Sequence, residues 1–168
     1  MVKKTLGKII LLLLAIGICL LAGYIGSIFT IPAIPTWYAG LAKPDFSPPA
    51  WVFAPVWTVL YILMGISLFL LLRQGIKNKK VLFALVLFIL QLILNTGWSY
   101  LFFGLQSTFL GFMGIIALWL VLLCTMIQEF RVTVAGGALL IPYFLWVTFA
   151  TYLCYTVMMM NPVSYGLS

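Results

Sequence analysis

Apolar residues fall into five long blocks along the chain, separated by short stretches that hold nearly all the polar and charged residues. A basic start (Lys3, Lys4, Lys8) leads into an apolar run from Ile9 to about Ile31. That run exceeds the roughly 7–15 apolar residues of a secretory signal peptide and reads as a first spanning helix. Crossing a bilayer takes roughly 20 apolar residues in a helix, and every block is that long. The pattern predicts helices over about 9–31, 49–72, 81–103, 108–127 and 132–160. Pro142 should kink the last of them, because proline lacks the N–H that the helix uses. Residues 32–49 hold five of the eight prolines and predict a stiff, ordered loop rather than a helix. The fold class expected is an all-α membrane protein: one domain over 1–168, a bundle of five transmembrane helices with the proline-rich first loop as a lid.

Composition supports this reading: 65% of residues are hydrophobic and 7% charged, against about 25% charged in soluble domains. The net charge of +7 does not point to nucleic acid, because the basic residues cluster at the ends of apolar blocks. With five spans, Lys3, Lys4, Lys8, Arg73, Lys77, Lys79, Lys80 and Arg131 lie on one side and Lys43 alone on the other. The positive-inside rule then predicts a multi-pass protein of the cell membrane. Its N-terminus should be cytoplasmic, with the first loop and the C-terminus outside. Cys19, Cys124 and Cys154 lie in apolar blocks without CxxC or metal-ligand spacing and are expected to be small core residues.

The inventory of reactive groups is short. The chain has no histidine, and its two carboxylates, Asp45 and Glu129, fall in the expected turns. Ion-coupled pumping, paired-carboxylate hydrolysis and metal catalysis lack their usual groups. Neutral polar and aromatic faces remain. Phe53, Trp57, Tyr61 and Gly65 repeat every four residues on helix two. Gln91, Asn95, Trp98, Ser99 and Phe102 share a face of helix three, and Tyr143, Trp146, Ala150 and Leu153 follow Pro142 on helix five. Each residue taken singly fits hydrogen-bonded helix contacts or interfacial aromatic belts. Three such faces together, beneath an aromatic loop, fit a cavity for a flat, apolar, mostly uncharged small molecule. Tyr38 is expected to point from the lid toward the space between helices two and five. Ala15, Cys19, Gly23 and Ser27 form a small-residue stripe on helix one. That stripe and the Gly97/Gly104 pair on helix three are candidate contact faces for a homodimer.

These residues resemble the TspO/MBR family, the translocator proteins or tryptophan-rich sensory proteins. The likeness lies in Trp37-Tyr38 with Lys43-Pro44 and Pro48-Pro49, then Pro55-Val56-Trp57 with Leu60-Tyr61 and Met64-Gly65. It continues through Gln91-Leu92, Leu94-Asn95, Trp98-Ser99 and Phe102-Phe103 to Pro142-Tyr143, Trp146 and Phe149-Ala150-Thr151 with Leu153. The resemblance implies a five-helix bundle, often dimeric, whose first loop closes over a cavity that binds porphyrins. It implies ligand contacts from Tyr38, Trp57, Asn95, Trp98, Trp146 and Ala150. It also pairs Trp57 with Trp146 in light-dependent porphyrin breakdown. Cys154 stands where the family commonly has asparagine. The cholesterol motif lacks its basic residue, because Met159 occupies that position, so no cholesterol recognition by that element is expected.

The function this implies is a membrane tetrapyrrole-binding sensory or regulatory protein. The ligand is a porphyrin or another flat apolar molecule, membrane lipids surround the site, and no cofactor or metal is required. A light-dependent porphyrin-degrading enzyme and a transporter of porphyrins or lipids are the alternatives.

Overall fold

Three short polar side chains set where helices begin. Asn78 accepts from the Lys80 N–H at 3.0 Å, Ser107 from Leu110 at 3.2 Å and Thr133 from Gly136 at 3.4 Å. Each satisfies an N–H that the first turn leaves without a partner. In the computed structural model, which describes residues 2–162, these caps open α3 (Lys79–Ser99), α4 (Thr108–Phe130) and α5 (Val134–Met160). α1 covers Val2–Ala33 and α2 covers Ala50–Leu72. All five helices are long and apolar enough to cross a membrane.

The helices close into a ring. α1 packs on α2 and α3, α2 on α5, α5 on α4, and α4 on α3. The small stripe of α1 is spent inside this ring. Ala15 and Cys19 are fully buried, and Gly23 lies under the Tyr61 ring. Gly65 of α2 sits so close to α1 that an added Cβ would fall 2.4 Å from the Ile16 Cα. The stripe is therefore an intramolecular contact and not a free dimer face. Gly104 is exposed, although an added Cβ there would meet the Tyr100 and Phe29 rings, whereas Gly97 has open space around it.

Four expectations need correction. The proline-rich segment 32–49 is not one loop. α1 runs on through Pro32, becomes a π-helical turn over Ile34–Tyr38 and stays helical to Gly40, leaving an irregular segment of only 41–49. A π turn shifts the hydrogen-bond register by one residue. The Thr36 hydroxyl donates to the Pro32 carbonyl at 2.8 Å, so backbone acceptors near the prolines keep partners. Secondly, Glu129 is not in a turn. α4 continues to Phe130, and Glu129 is wholly buried in its last turn. The helix extends there because its polar residues have partners. The Gln128 amide donates to the Lys80 carbonyl at 3.3 Å, and the Ser67 hydroxyl lies 2.6 Å from Glu129 Oε1. One carboxyl group therefore lies within a helix long and apolar enough to span the membrane. Thirdly, Cys19 and Cys154 are buried but Cys124 is exposed on the outer face. Lastly, Tyr38 does not face the space between α2 and α5 alone: its ring meets Phe53, Phe102 and Phe103, in a chamber that α5 also lines. α5 runs unbroken through Pro142.

Candidate functional site

Two π turns meet at one end of the bundle. The first carries Trp37 and Tyr38 on the continuation of α1. The second, Tyr100–Gly104, carries Phe102 and Phe103 on the continuation of α3. The extra residue in each turn rotates the following side chains off the plain helical face. Trp37 and Phe102 then meet at 5.3 Å between ring centroids, and Tyr38 and Phe103 at 5.7 Å. Tyr38, Phe102 and Phe103 are all buried. This aromatic plug closes the end of a cavity of about 330 Å³ lined by α1, α2, α3 and α5.

One wall of the cavity is a column of flat rings. Trp57 of α2 stacks on Trp98 of α3 at 6.5 Å and 30°, and Trp98 stacks on Phe102 at 5.7 Å and 19°. These rings make that side of the chamber aromatic and apolar. From α1, Gly23, Gly26, Ser27 and Thr30 join the lining, Gly23 against the Tyr61 ring and Gly26 against Ser99. Leu153, Cys154 and Val157 line the cavity from α5. Exposed residues of α1 (Tyr24, Ile31) and of α2 (Ala54, Thr58) frame a gap between those two helices, so the chamber is open to the lipid-facing surface on that side.

The floor is polar and tied into one hydrogen-bonded chain. The Tyr61 hydroxyl donates to Asn95 Oδ1 in a short hydrogen bond, and Asn95 Nδ2 donates to the Tyr143 hydroxyl at 2.7 Å. Tyr143 in turn donates to Gln91 Oε1 at 3.1 Å. The chain ties α2, α3 and α5 together in a medium that offers no water, where each unpaired polar group costs several kcal/mol. Gln91 Nε2 ends it without a partner. Asn95 and Tyr61 line the cavity and Gln91 does not. The two readings of the amide face therefore apply to different residues: Gln91 is helix contact, while Asn95 belongs to both the contact network and the cavity floor.

A profile of the TspO/MBR family matches residues 15–160. The chain belongs to the TspO/MBR family. It is 44% identical over 155 residues to the tryptophan-rich protein TspO of Chlorobaculum tepidum, covering 92% of this chain and 98% of that one. Identity to the tryptophan-rich protein TspO of Archaeoglobus fulgidus is 40% over 154 residues, covering 92% and 99%. Identity to the translocator protein of Homo sapiens is 34% over 135 residues, covering 80% of each.

Of the six candidate contact positions in this TspO/MBR chain, Tyr38, Trp57, Asn95, Trp98 and Ala150 line the one cavity. Trp146 does not. It packs on Phe53 at 6.1 Å and Phe149 at 5.6 Å, behind the wall, with its indole nitrogen buried and unpartnered. The contribution of α1 was missed, although the Gly23 and Ser27 positions of its stripe already marked the face that lines the chamber. Phe103 and Cys154 were missed as lining residues too. The π turn that aims Phe103 leaves no periodic signal, and a lone cysteine in an apolar run carries none. Among the described residues no three His, Cys, Asp or Glu side chains gather as a metal cluster would require.

Proposed function

We propose that this chain is a membrane receptor for planar tetrapyrroles of the porphyrin type, serving a sensory or regulatory role. The observation that carries the reading is the aromatic cluster Trp57, Trp98 and Phe102 in a chamber that is otherwise mostly apolar. Such a lining suits a flat, apolar guest. Relatives named tryptophan-rich sensory protein, from Cereibacter sphaeroides, and translocator protein, from Homo sapiens, are in keeping with a sensory or translocating role. The asymmetry of basic residues places the N-terminus in the cytoplasm in this reading, and any homodimer would use the open Gly97 face of α3. The test is titration of the detergent-solubilised protein with protoporphyrin, read by quenching of tryptophan fluorescence. Saturable quenching at micromolar ligand is expected, and none would remove the proposal.

Light-driven breakdown is the second reading, favoured by an indole pair stacked at the cavity wall, Trp57 on Trp98. The porphyrin would absorb the light, an indole would relay the electron and dioxygen would be the oxidant. An absorption spectrum of the complex that stays constant under illumination in air would eliminate it.

A further inference from the structure

Beyond the aromatic plug that closes it, the chamber adjoins further space. Ile34, Tyr38 and Ala50, which line it, also line a second hollow of about 340 Å³ whose remaining walls include Lys43, Ser47 and the Pro48–Pro49 pair. The two spaces adjoin across Tyr38. Lys43 is the one basic residue between Lys8 and Arg73, and the structure fixes it firmly. Its ammonium donates to the Tyr38 and Leu41 carbonyls at 2.8 Å and to the Ala39 carbonyl at 3.2 Å, and sits 4.9 Å from the centre of the Tyr38 ring. Carbonyl dipoles hold the ammonium without cancelling its unit charge. A cation already immobilised at the junction loses little side-chain entropy when an anion arrives.

Size and charge then decide how a guest lies. At about 330 Å³ the chamber is at the small end of ligand pockets, which span roughly 300–1,000 Å³, so a tetrapyrrole overfills it. The overflow has two exits, the lipid-facing gap between α1 and α2 and the Lys43 hollow. An ionised group placed in hydrocarbon costs about 3 kcal/mol or more, so an acidic arm is driven from the gap to the hollow. We propose that this site selects planar aromatic acids over neutral planar molecules. The ring body lies on Trp57 and Trp98, and a carboxylate arm passes Tyr38 to pair with Lys43, taking the place of its longest contact, the Ala39 carbonyl. The assignment rests on reading the chamber as the tetrapyrrole site.

The experiment compares protoporphyrin, which has two carboxylates, with its dimethyl ester, in phospholipid-free maltoside micelles, for the parent protein, Lys43→Gln and Lys43→Arg. Tryptophan quenching gives the affinities. The parent should prefer the acid, and Lys43→Gln should lower the ratio of acid to ester affinity about tenfold, a ratio that cancels any loosening of segment 41–49 felt by both ligands. Saturable ester binding by the variant establishes that it is folded. Lys43→Arg should retain the acid preference, and added salt should shrink it. Equal binding of acid and ester by the parent, or an acid preference that survives in Lys43→Gln, overturns the inference while leaving the receptor reading intact. If neither porphyrin binds the parent, it is the receptor reading itself that fails.

Discussion

Asn161 grips Ala42 through both ends of its amide. Its Nδ2 donates to the Ala42 carbonyl at 2.8 Å, and the Ala42 N–H donates to Asn161 Oδ1 at 2.9 Å. The residues lie 119 positions apart. The contact ties the irregular segment after Gly40 to the end of α5, where Nδ2 also reaches the Val157 carbonyl at 2.8 Å. Lys43 fastens the same segment onto the Tyr38 and Ala39 carbonyls at the end of the first helix. Two clips thus hold the short segment 41–49. Asn161→Ala removes one of them. Hydrogen exchange at the Ala42 amide should speed up by an order of magnitude or more, with exchange inside α2 and α3 unchanged. An Ala42 amide that exchanges as slowly as before would show that Lys43 and the proline pair order the segment without Asn161.

The Ser67–Glu129 contact makes the second prediction. The Ser67 hydroxyl lies 2.6 Å from Glu129 Oε1 and 2.9 Å from the Gly136 carbonyl, so one side chain of α2 joins α4 to α5. All of it is buried, and Glu129 Oε2 has no partner. Removing one member of a buried pair costs more than replacing it by a neutral isostere. Glu129→Ala should therefore lower stability by about 2 kcal/mol or more, while Glu129→Gln, which keeps an acceptor for Ser67, should lose far less. Thermal unfolding in detergent would rank the two. Equal loss would mean that the carboxyl is needed for more than its acceptor.

How much of this was legible follows from which signals have a period. The neutral faces of α2, α3 and α5 obey the helical repeat, and so Trp57, Asn95, Trp98 and Ala150 could be placed on inward faces from spacing and resemblance alone. Tyr38 was found in the motif, but its surroundings were not. Two π turns re-aim the rings around it, and a one-residue slip leaves no trace in an apolar sequence. Pro32 and Pro35 read as helix breakers because their rings oppose a regular α-helix. In a membrane the alternative to a helix is an unsatisfied backbone, and a π turn with a threonine hydroxyl is the cheaper solution. Glu129 was misplaced for a related reason. Hydropathy sees a charge and ends the helix, and only the fold brings Ser67 alongside.

A third prediction concerns helix contact. An added Cβ at Gly65 would come within 2.4 Å of the Ile16 Cα, which is backbone and cannot turn aside as a side chain could. α1 and α2 would have to separate, and they are the helices that frame the lipid-facing gap. Gly65→Ala should destabilise by about 1–3 kcal/mol, as overpacking generally does. It should also widen the gap between Tyr24 and Thr58. A cysteine pair at those two positions, spin-labelled in each background, would measure the separation. An unchanged label distance together with unchanged stability would mean that α1 shifts along its axis without opening the chamber.

The last prediction separates the two tryptophans that the family resemblance pairs. Trp57 lies in the cavity wall, in ring contact with Trp98, Tyr61 and Tyr143. Trp146 lies behind Phe53 and Phe149. A guest in the chamber touches Trp57 directly and reaches Trp146 only if Phe53 moves. If stacking is what tryptophan supplies, Trp57→Ala should weaken porphyrin binding by roughly tenfold, the loss of one aromatic contact of about 1–1.5 kcal/mol. Trp57→Phe should recover most of it, and Trp146→Phe should leave affinity within about twofold. If the indoles also relay electrons in light, Trp57→Phe should slow bleaching of bound porphyrin more than it weakens binding, because phenylalanine stacks but is far harder to oxidise. Trp146→Phe should then slow bleaching only as a second step of the relay, through Phe53. The affinities come from quenching titrations and the bleaching from absorbance under steady illumination at saturating ligand, which removes affinity from the comparison. A Trp146→Phe variant that loses binding as strongly as Trp57→Ala would place the guest on the other side of Phe53, and the chamber between α1 and α2 would no longer be the site.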